Sequence, residues 1–207
     1  MSIITRHLPY VNPRKDTALV LIDLQKGFDD DRWGARNNPQ AEAQIALLLA
    51  KWRAARLPVI HVQHDSTTSN GSFRPGTPGN EPKMEAAPMP SEPVYRKTVN
   101  SAFIGTSLER DLRDWGISTL ILAGFTTNHC VSTTARMASN LGFKTLVVQD
   151  ATATFERIGL DGKMRHAAEV HASALSDLNE EFATIVDTDA VLKGIWLRHQ
   201  RDPHWSV

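Results

Sequence analysis

Three residues of this chain carry side chains suited to nucleophilic chemistry and stand at the ends of apolar runs: Asp23, Lys97 and Cys130. Cys130 is the only cysteine among the 207 residues. It lies in TLILAGFTTNHCVSTTARMASNL, residues 119–141, where the apolar run Leu120–Ala123 stops at Gly124. Val131, Ala135, Ala138 and Leu141 then follow at the spacing of one buried helix face. The pattern predicts a strand, a tight turn and a helix with the cysteine in its first turn. Helix N-terminal N–H groups and the helix dipole would there stabilise a thiolate and lower the thiol pKa. A lone cysteine is more often a packing residue, so the reading depends on what the fold brings beside it.

Asp23 closes the run ALVLI, and Lys97 follows the short strand-like step Val94–Tyr95. Taken singly, an Asp after a strand is usually a turn residue, and a lysine is usually solvated. Together the three form a reaction set. A Lys97 ammonium beside the thiol would favour the thiolate. Asp23 would take the thiol proton as general base and return it to the leaving group as acid. Backbone N–H groups of the turn Thr126–Cys130 would hold the oxyanion. The product would be a thioester, hydrolysed by water activated by the same aspartate. The predicted reaction is acyl transfer to water from an amide-like substrate.

The elements that must position these residues alternate. Continuous apolar runs at Ala18–Ile22 and Leu120–Ala123 read as buried strands, and Val59–Val62 and Thr145–Val148 as further strands. Ile45, Leu48, Leu49 and Trp52 mark a helix from about Gln40 to Ala55. Leu108, Leu112 and Trp115 mark another, with Thr106 and Glu109 spaced as a capping box. Met164, Ala168, His171, Leu175 and Leu178 mark one long helix. A last strand at Thr184–Val186 precedes a short helix begun by Asp189–Leu192. The order β-α-β-loop-β-α-β-α-β-α-β-α predicts a parallel sheet with helices on both faces. Ligands bind outside the carboxyl ends of the strands in such sheets, and Asp23, Lys97 and Cys130 all map to that edge.

Residues 66–93 contain six of the eleven prolines and three glycines. A long loop in a compact domain is usually functional, and Phe73 and Met84 are its candidate anchors. His61 and His64 form a His-x-x-His pair, but i and i+3 on a strand point to opposite faces; no metal site is expected. Residues 1–16, with Pro9 and Pro13, read as an irregular lead-in, and 196–207, with Trp196 and Trp205, as a polar tail.

Lys+Arg and Asp+Glu both total 23, which gives no electrostatic footprint for nucleic acid or an anionic membrane. No apolar run approaches the ~20 residues that span a bilayer. One cysteine allows no internal disulfide, and the N-terminus lacks a signal-peptide apolar region. A single cytoplasmic domain covering 1–207 is expected.

The runs ALVLIDLQKGF, VYRKTVNSAF and GFTTNHCVSTTARMASNLGFKTLVVQDATATF together resemble the isochorismatase-like cysteine hydrolase superfamily, over about residues 17–190. The resemblance implies a three-layer α-β-α, Rossmann-like fold with a six-stranded parallel sheet. It makes Asp23 the general base and acid, Lys97 the electrostatic partner and Cys130 the nucleophile. It also implies a non-proline cis peptide between Phe125 and Thr126, which would aim the Thr126 N–H, with that of Cys130, at the oxyanion. Thr127 would then support the turn. Nicotinamidases of this superfamily carry an Asp-x-His…His metal set after the second strand. HVQHDSTT lacks it, which weakens nicotinamide as a substrate. Phe28, Trp33, His64 and Phe103 are the candidate pocket walls.

The favoured reading is a cysteine amidohydrolase acting on a small amide, ureido or carbamoyl compound, with no cofactor. The alternative is an isochorismatase-type vinyl-ether hydrolase using Asp23 without the thiol. A non-catalytic binding module or thiol redox sensor is the third reading. The superfamily's habit implies a homo-oligomer, a dimer or tetramer.

Overall fold

The computed structural model describes Val11 and residues 13–201; Pro9 of the lead-in and Trp205 of the tail lie outside the described residues. Six strands form one all-parallel sheet: β1 (Thr17–Ile22), β2 (Val59–His64), β3 (Val94–Lys97), β4 (Thr119–Phe125), β5 (Lys144–Ala153) and β8 (Thr184–Val186). Their spatial order is β3-β2-β1-β4-β5-β8. The chain thus winds outward from β1 one way and from β4 the other. The helices are α1 (Ala41–Ala54), α2 (Leu108–Asp114), α3 (Ser132–Asn140), α4 (Ala167–Leu178) and α5 (Thr188–Arg201). No helix among the described residues is long and apolar enough to cross a membrane.

The period-2 alternation of a strand shows why both faces need helices. Leu19 and Leu21 of β1 join Ile45, Leu48, Leu49 and Trp52 of α1 in one core cluster. Ala18, Val20 and Ile22 join Leu108, Leu112, Val131, Ala135 and Ala138 in the other. β4 divides the same way, with Ile121, Ala123 and Phe125 on the α1 side and Leu120 and Leu122 on the α3 side. The predicted three-layer α-β-α architecture is the one observed.

Several local expectations need correction. Trp115 is half exposed rather than buried, because α2 has already ended at Asp114. Thr106 and Glu109 form no capping box. The Thr106 hydroxyl donates to the Ala102 carbonyl at 2.6 Å, while Glu109 pairs with Arg113 one turn on. The long helix starts three residues late. Met164 belongs to a small antiparallel hairpin, β6 (Arg157–Ile158) with β7 (Met164–Arg165), where Gly162 turns the chain at φ 76°. The final helix is not short: α5 runs to Arg201, so Trp196 is helical and exposed. Met84 is fully outside, and Asn80, Lys83 and Ala86 are the buried residues of its part of the loop.

Asn80 is what holds the 66–93 excursion in place. Its amide nitrogen donates to the carbonyls of His64 (3.0 Å) and Phe73 (2.8 Å) and to Asp65 Oδ1 (2.9 Å). Gln25, wholly buried just after β1, donates to the Asn80 carbonyl at 3.0 Å and to the His64 carbonyl at 2.9 Å, and accepts from the His64 N–H at 2.7 Å. Two buried amides thus tie the ends of β1 and β2 to the loop. Glycine is required where the loop folds back on itself: a Cβ on Gly79 would sit 2.2 Å from the Ser72 carbonyl oxygen.

Candidate active site

The winding reverses between β1 and β4, and the crevice of a doubly wound sheet opens at such a reversal. Asp23 follows the last residue of β1, and Cys130 follows β4 by a turn. Lys97 is the last residue of β3 and lies opposite His64 of β2 in the parallel register. β3 alternates exposed and buried residues, so Tyr95 and Lys97 point inward.

The three side chains meet. Lys97 Nζ lies 2.8 Å from Asp23 Oδ2 and 3.3 Å from Cys130 Sγ, and it is also 3.1 Å from His64 Nδ1. Asp23 and Lys97 are 1% exposed and Cys130 is 8% exposed. Asp23 adopts φ 53°, a left-handed conformation uncommon for a non-glycine residue. Its N–H is tied to the Val62 carbonyl at 2.8 Å. The second carboxylate oxygen, Oδ1, is buried with no hydrogen-bond partner.

Cys130 sits in a single π-helical turn, Thr127–Val131, that runs directly into α3. π-turns of this kind are often found at functional sites. The Phe125–Thr126 peptide is cis. Thr127 is wholly buried, with its hydroxyl 2.9 Å from His171 Nδ1 on α4. Gly124 takes φ 126° where β4 passes β1, and a Cβ there would lie 2.0 Å from the Ile22 carbonyl oxygen. The close approach of the two strands brings Asp23 and the cysteine turn to one place.

The electrostatics correct one expectation. The thiol is not lowered: burial, then the neighbouring Asp23 carboxylate, push the Cys130 pKa up to about 12, against the pull of Lys97. Burial likewise raises Asp23, and Lys97 is the largest opposing influence. Burial, then Lys97, lower His64. The ammonium stands nearer to the carboxylate than to the sulfur, so at rest the proton shared by Asp23 and Cys130 stays on sulfur. A helix N-terminus and one lysine do not outweigh desolvation plus a carboxylate.

Asp23, His64 and Cys130 offer atoms within 4.8 Å of one another, a donor set of the kind that holds metal ions. The Lys97 ammonium stands among them, within hydrogen-bond distance of all three, and so takes a cation's place. His61 diverges from His64 as the strand alternation requires, and its Nε2 lies 2.8 Å from Glu92.

A cavity of about 420 Å³ opens over Asp23 and Cys130. Phe28, Trp33 and His64 line it, as do Thr126, Asn100, Arg32 and His129. Phe103 does not. It turns into the core and stacks on Phe143 with ring centroids 6.0 Å apart. Phe73 takes the wall position instead, 4.6 Å from Phe28 and 6.0 Å from Trp33 between ring centroids. Asn100, whose Oδ1 lies 3.8 Å from Cys130 Sγ, carries no signal in the sequence beyond following Lys97 by three residues. A larger open groove of about 880 Å³ runs along α3 and α4, but it contains neither Asp23 nor Cys130.

Fold and site define a doubly wound α/β domain with a buried Asp–Lys–Cys cluster at its topological switch point. The isochorismatase domain model matches residues 17–190. The isochorismatase family protein YrdC of Bacillus subtilis is 43% identical over 182 residues, covering 88% of this chain and 97% of that protein. Nicotinamidase 3 of Arabidopsis thaliana is 30% identical over 194 residues, covering 87% of this chain and 89% of that one. A solved isochorismatase-family structure from Chromobacterium violaceum superposes with a TM-score of 0.88 at 42% identity, over 92% of this chain and all of that one. The chain belongs to the isochorismatase family of hydrolases.

Proposed function

We propose that this protein is a cysteine hydrolase that cleaves the C–N bond of a small amide, ureido or carbamoyl compound through a Cys130 thioester. The observation that carries this reading is the Lys97 ammonium, 2.8 Å from Asp23 and 3.3 Å from Cys130, beneath a cavity that Asp23 and Cys130 line. A protonated thiol beside a carboxylate is arranged for concerted transfer. As Sγ attacks the substrate carbonyl, its proton passes to Asp23, and Lys97 balances the charge that moves. The backbone N–H groups of Thr126 and Cys130 would receive the oxyanion. Asp23 then gives its proton to the leaving nitrogen, and the amine departs. Water enters, loses a proton to Asp23 and cleaves the thioester to release acid and free thiol. The aromatic wall of Phe28, Trp33 and Phe73 suits a small, flat substrate.

One observation favours a second reading. Burial raises the Asp23 pKa, which suits an acid, and an isochorismatase-type ether cleavage needs an acid and no thiol. Ammonia release from a panel of small amides and ureido acids, wild type against Cys130→Ala, separates the two. Loss of turnover in Cys130→Ala is the expected result. Retained turnover would overturn the thioester route and favour Asp23 alone, with isochorismate the next compound to test.

A further inference from the structure

A lysine ammonium has three N–H bonds and no lone pair, so each of its partners must accept. Lys97 has three partners within hydrogen-bond distance: Asp23 Oδ2, His64 Nδ1 and Cys130 Sγ. For His64 this fixes the tautomer. Nδ1 must be bare, and the neutral ring then carries its proton on Nε2.

The ring cannot easily turn away from this arrangement. The His64 backbone is clamped at both its N–H and its carbonyl by Gln25, and its carbonyl also accepts from Asn80. The ring meets Phe73 edge-on, with centroids 6.0 Å apart. Among the described residues, Asp23 Oδ1 and Gln63 Oε1 are the buried side-chain oxygens or nitrogens without a partner. His64 Nε2 is not among them, and no group of the described residues bonds it. It is therefore open, and His64 lines the cavity over Cys130. One of its two ring nitrogens lies within 4.8 Å of the sulfur.

We infer that His64 divides its two ring nitrogens between Lys97 and the substrate, with Nε2–H donating to an acceptor oxygen beside the reacting carbonyl. The preferred substrates are then amides whose scissile carbonyl is flanked by a second carbonyl or carboxylate oxygen. A plain alkyl amide forgoes that hydrogen bond and binds less tightly. The substrate half of this inference rests on the cysteine-hydrolase reading; the tautomer does not.

The test uses the Cys130→Ala protein, labelled with ¹⁵N-histidine, with oxamate and acetamide as probes. Oxamate carries a carboxylate next to its amide carbonyl, and acetamide carries a methyl group there. Without ligand, the His64 resonances, identified by their loss in His64→Asn, should show a protonated Nε2 and a bare Nδ1. Oxamate should shift the Nε2–H signal and bind roughly tenfold more tightly than acetamide, as one good hydrogen bond implies. Adding His64→Asn, whose amide oxygen replaces Nδ1 but which has no donor in the Nε2 position, should abolish that preference. Adding His64→Gln, whose amide nitrogen reaches the Nε2 position, should keep it. A proton on Nδ1 at neutral pH, equal binding of the two probes, or a preference that survives His64→Asn would each overturn the inference. None of these readouts needs turnover, so failure of the thioester route, seen as activity retained without the thiol, is a separate result.

Discussion

The raised thiol pKa leads to a prediction in which reactivity and turnover move in opposite directions. In Asp23→Asn the carboxylate that pushes Cys130 upward is gone, while Lys97 remains. With a thiol pKa of about 12, the thiolate fraction at pH 7 is roughly 10⁻⁵. The carboxylate lies within 4.8 Å of the sulfur, which at an effective dielectric of about 20 corresponds to ~3.5 kcal/mol of repulsion. Removing it lowers the thiol pKa by about 2.5 and raises the thiolate population roughly 300-fold. A less basic thiolate is also less nucleophilic, by about 10- to 20-fold for this change. The net expectation is iodoacetamide alkylation of Cys130 roughly 20-fold faster in Asp23→Asn than in wild type at pH 7. Hydrolysis should meanwhile fall by about 10²–10⁴-fold, because the proton acceptor is lost. The assay is alkylation rate by mass spectrometry beside ammonia release on the same samples. Alkylation that slows in Asp23→Asn would refute the reasoning, since the aspartate would then be promoting the thiolate of the free enzyme.

Two further predictions concern stability. Glu92, held by Arg53 and His61, has its pKa lowered to about 2. A lowered folded-state value adds stability above the unfolded carboxyl pKa near 4.5 and loses it as pH falls toward 2. Glu92→Gln should cost about 1–2 kcal/mol in urea unfolding at pH 7, after allowance for screening of the partly exposed Arg53, and clearly less at pH 3. A deficit that does not shrink in acid would show that the pair's charge contributes nothing. Gly124→Ala places a Cβ 2.0 Å from the Ile22 carbonyl oxygen at φ 126°. It should destabilise the domain by about 3 kcal/mol or more and take activity with it. Wild-type stability would mean that β1 and β4 separate freely at the site.

The parts of the site legible in the sequence are those set by strand ends. Asp23, Lys97 and Cys130 each end or closely follow an apolar run, and a parallel sheet sends all such ends to one edge. Long-range contacts were not legible. Phe103 lies six residues past Lys97 and looks well placed, but the Ala102 N–H is held by Thr134 of α3 at 3.1 Å, and the ring follows the chain into the core. Phe73 reaches the wall from the middle of the proline-rich loop because Asn80 holds its carbonyl. No local pattern announces a hydrogen bond of that kind. The raised thiol pKa is not legible for a related reason: a helix terminus is visible in the spacing, whereas desolvation depends on what the rest of the chain packs around the sulfur.

The burial that raises the thiol is also what makes the cluster capable of chemistry. In water, a carboxylate and an ammonium 4 Å apart gain about 1 kcal/mol, and the same pair in a drier setting gains several times that. Asp23 and Lys97, both about 1% exposed, therefore attract each other more strongly than a solvated pair would, although burial still raises the Asp23 pKa. Cys130 shares the ammonium at longer range and keeps its proton. Such a site spares its nucleophile from adventitious alkylation and oxidation until a carbonyl arrives to take up the sulfur's electron pair. The residues that exclude water, Phe28, Trp33 and Phe73, contribute to that reserve. Gln25 and Asn80, which bring the loop over the strand ends, set it up from a distance. Loosening the loop should thus lower the Cys130 pKa and speed its alkylation even though no charge is changed. This distinguishes a site governed by desolvation from one governed by its charges alone.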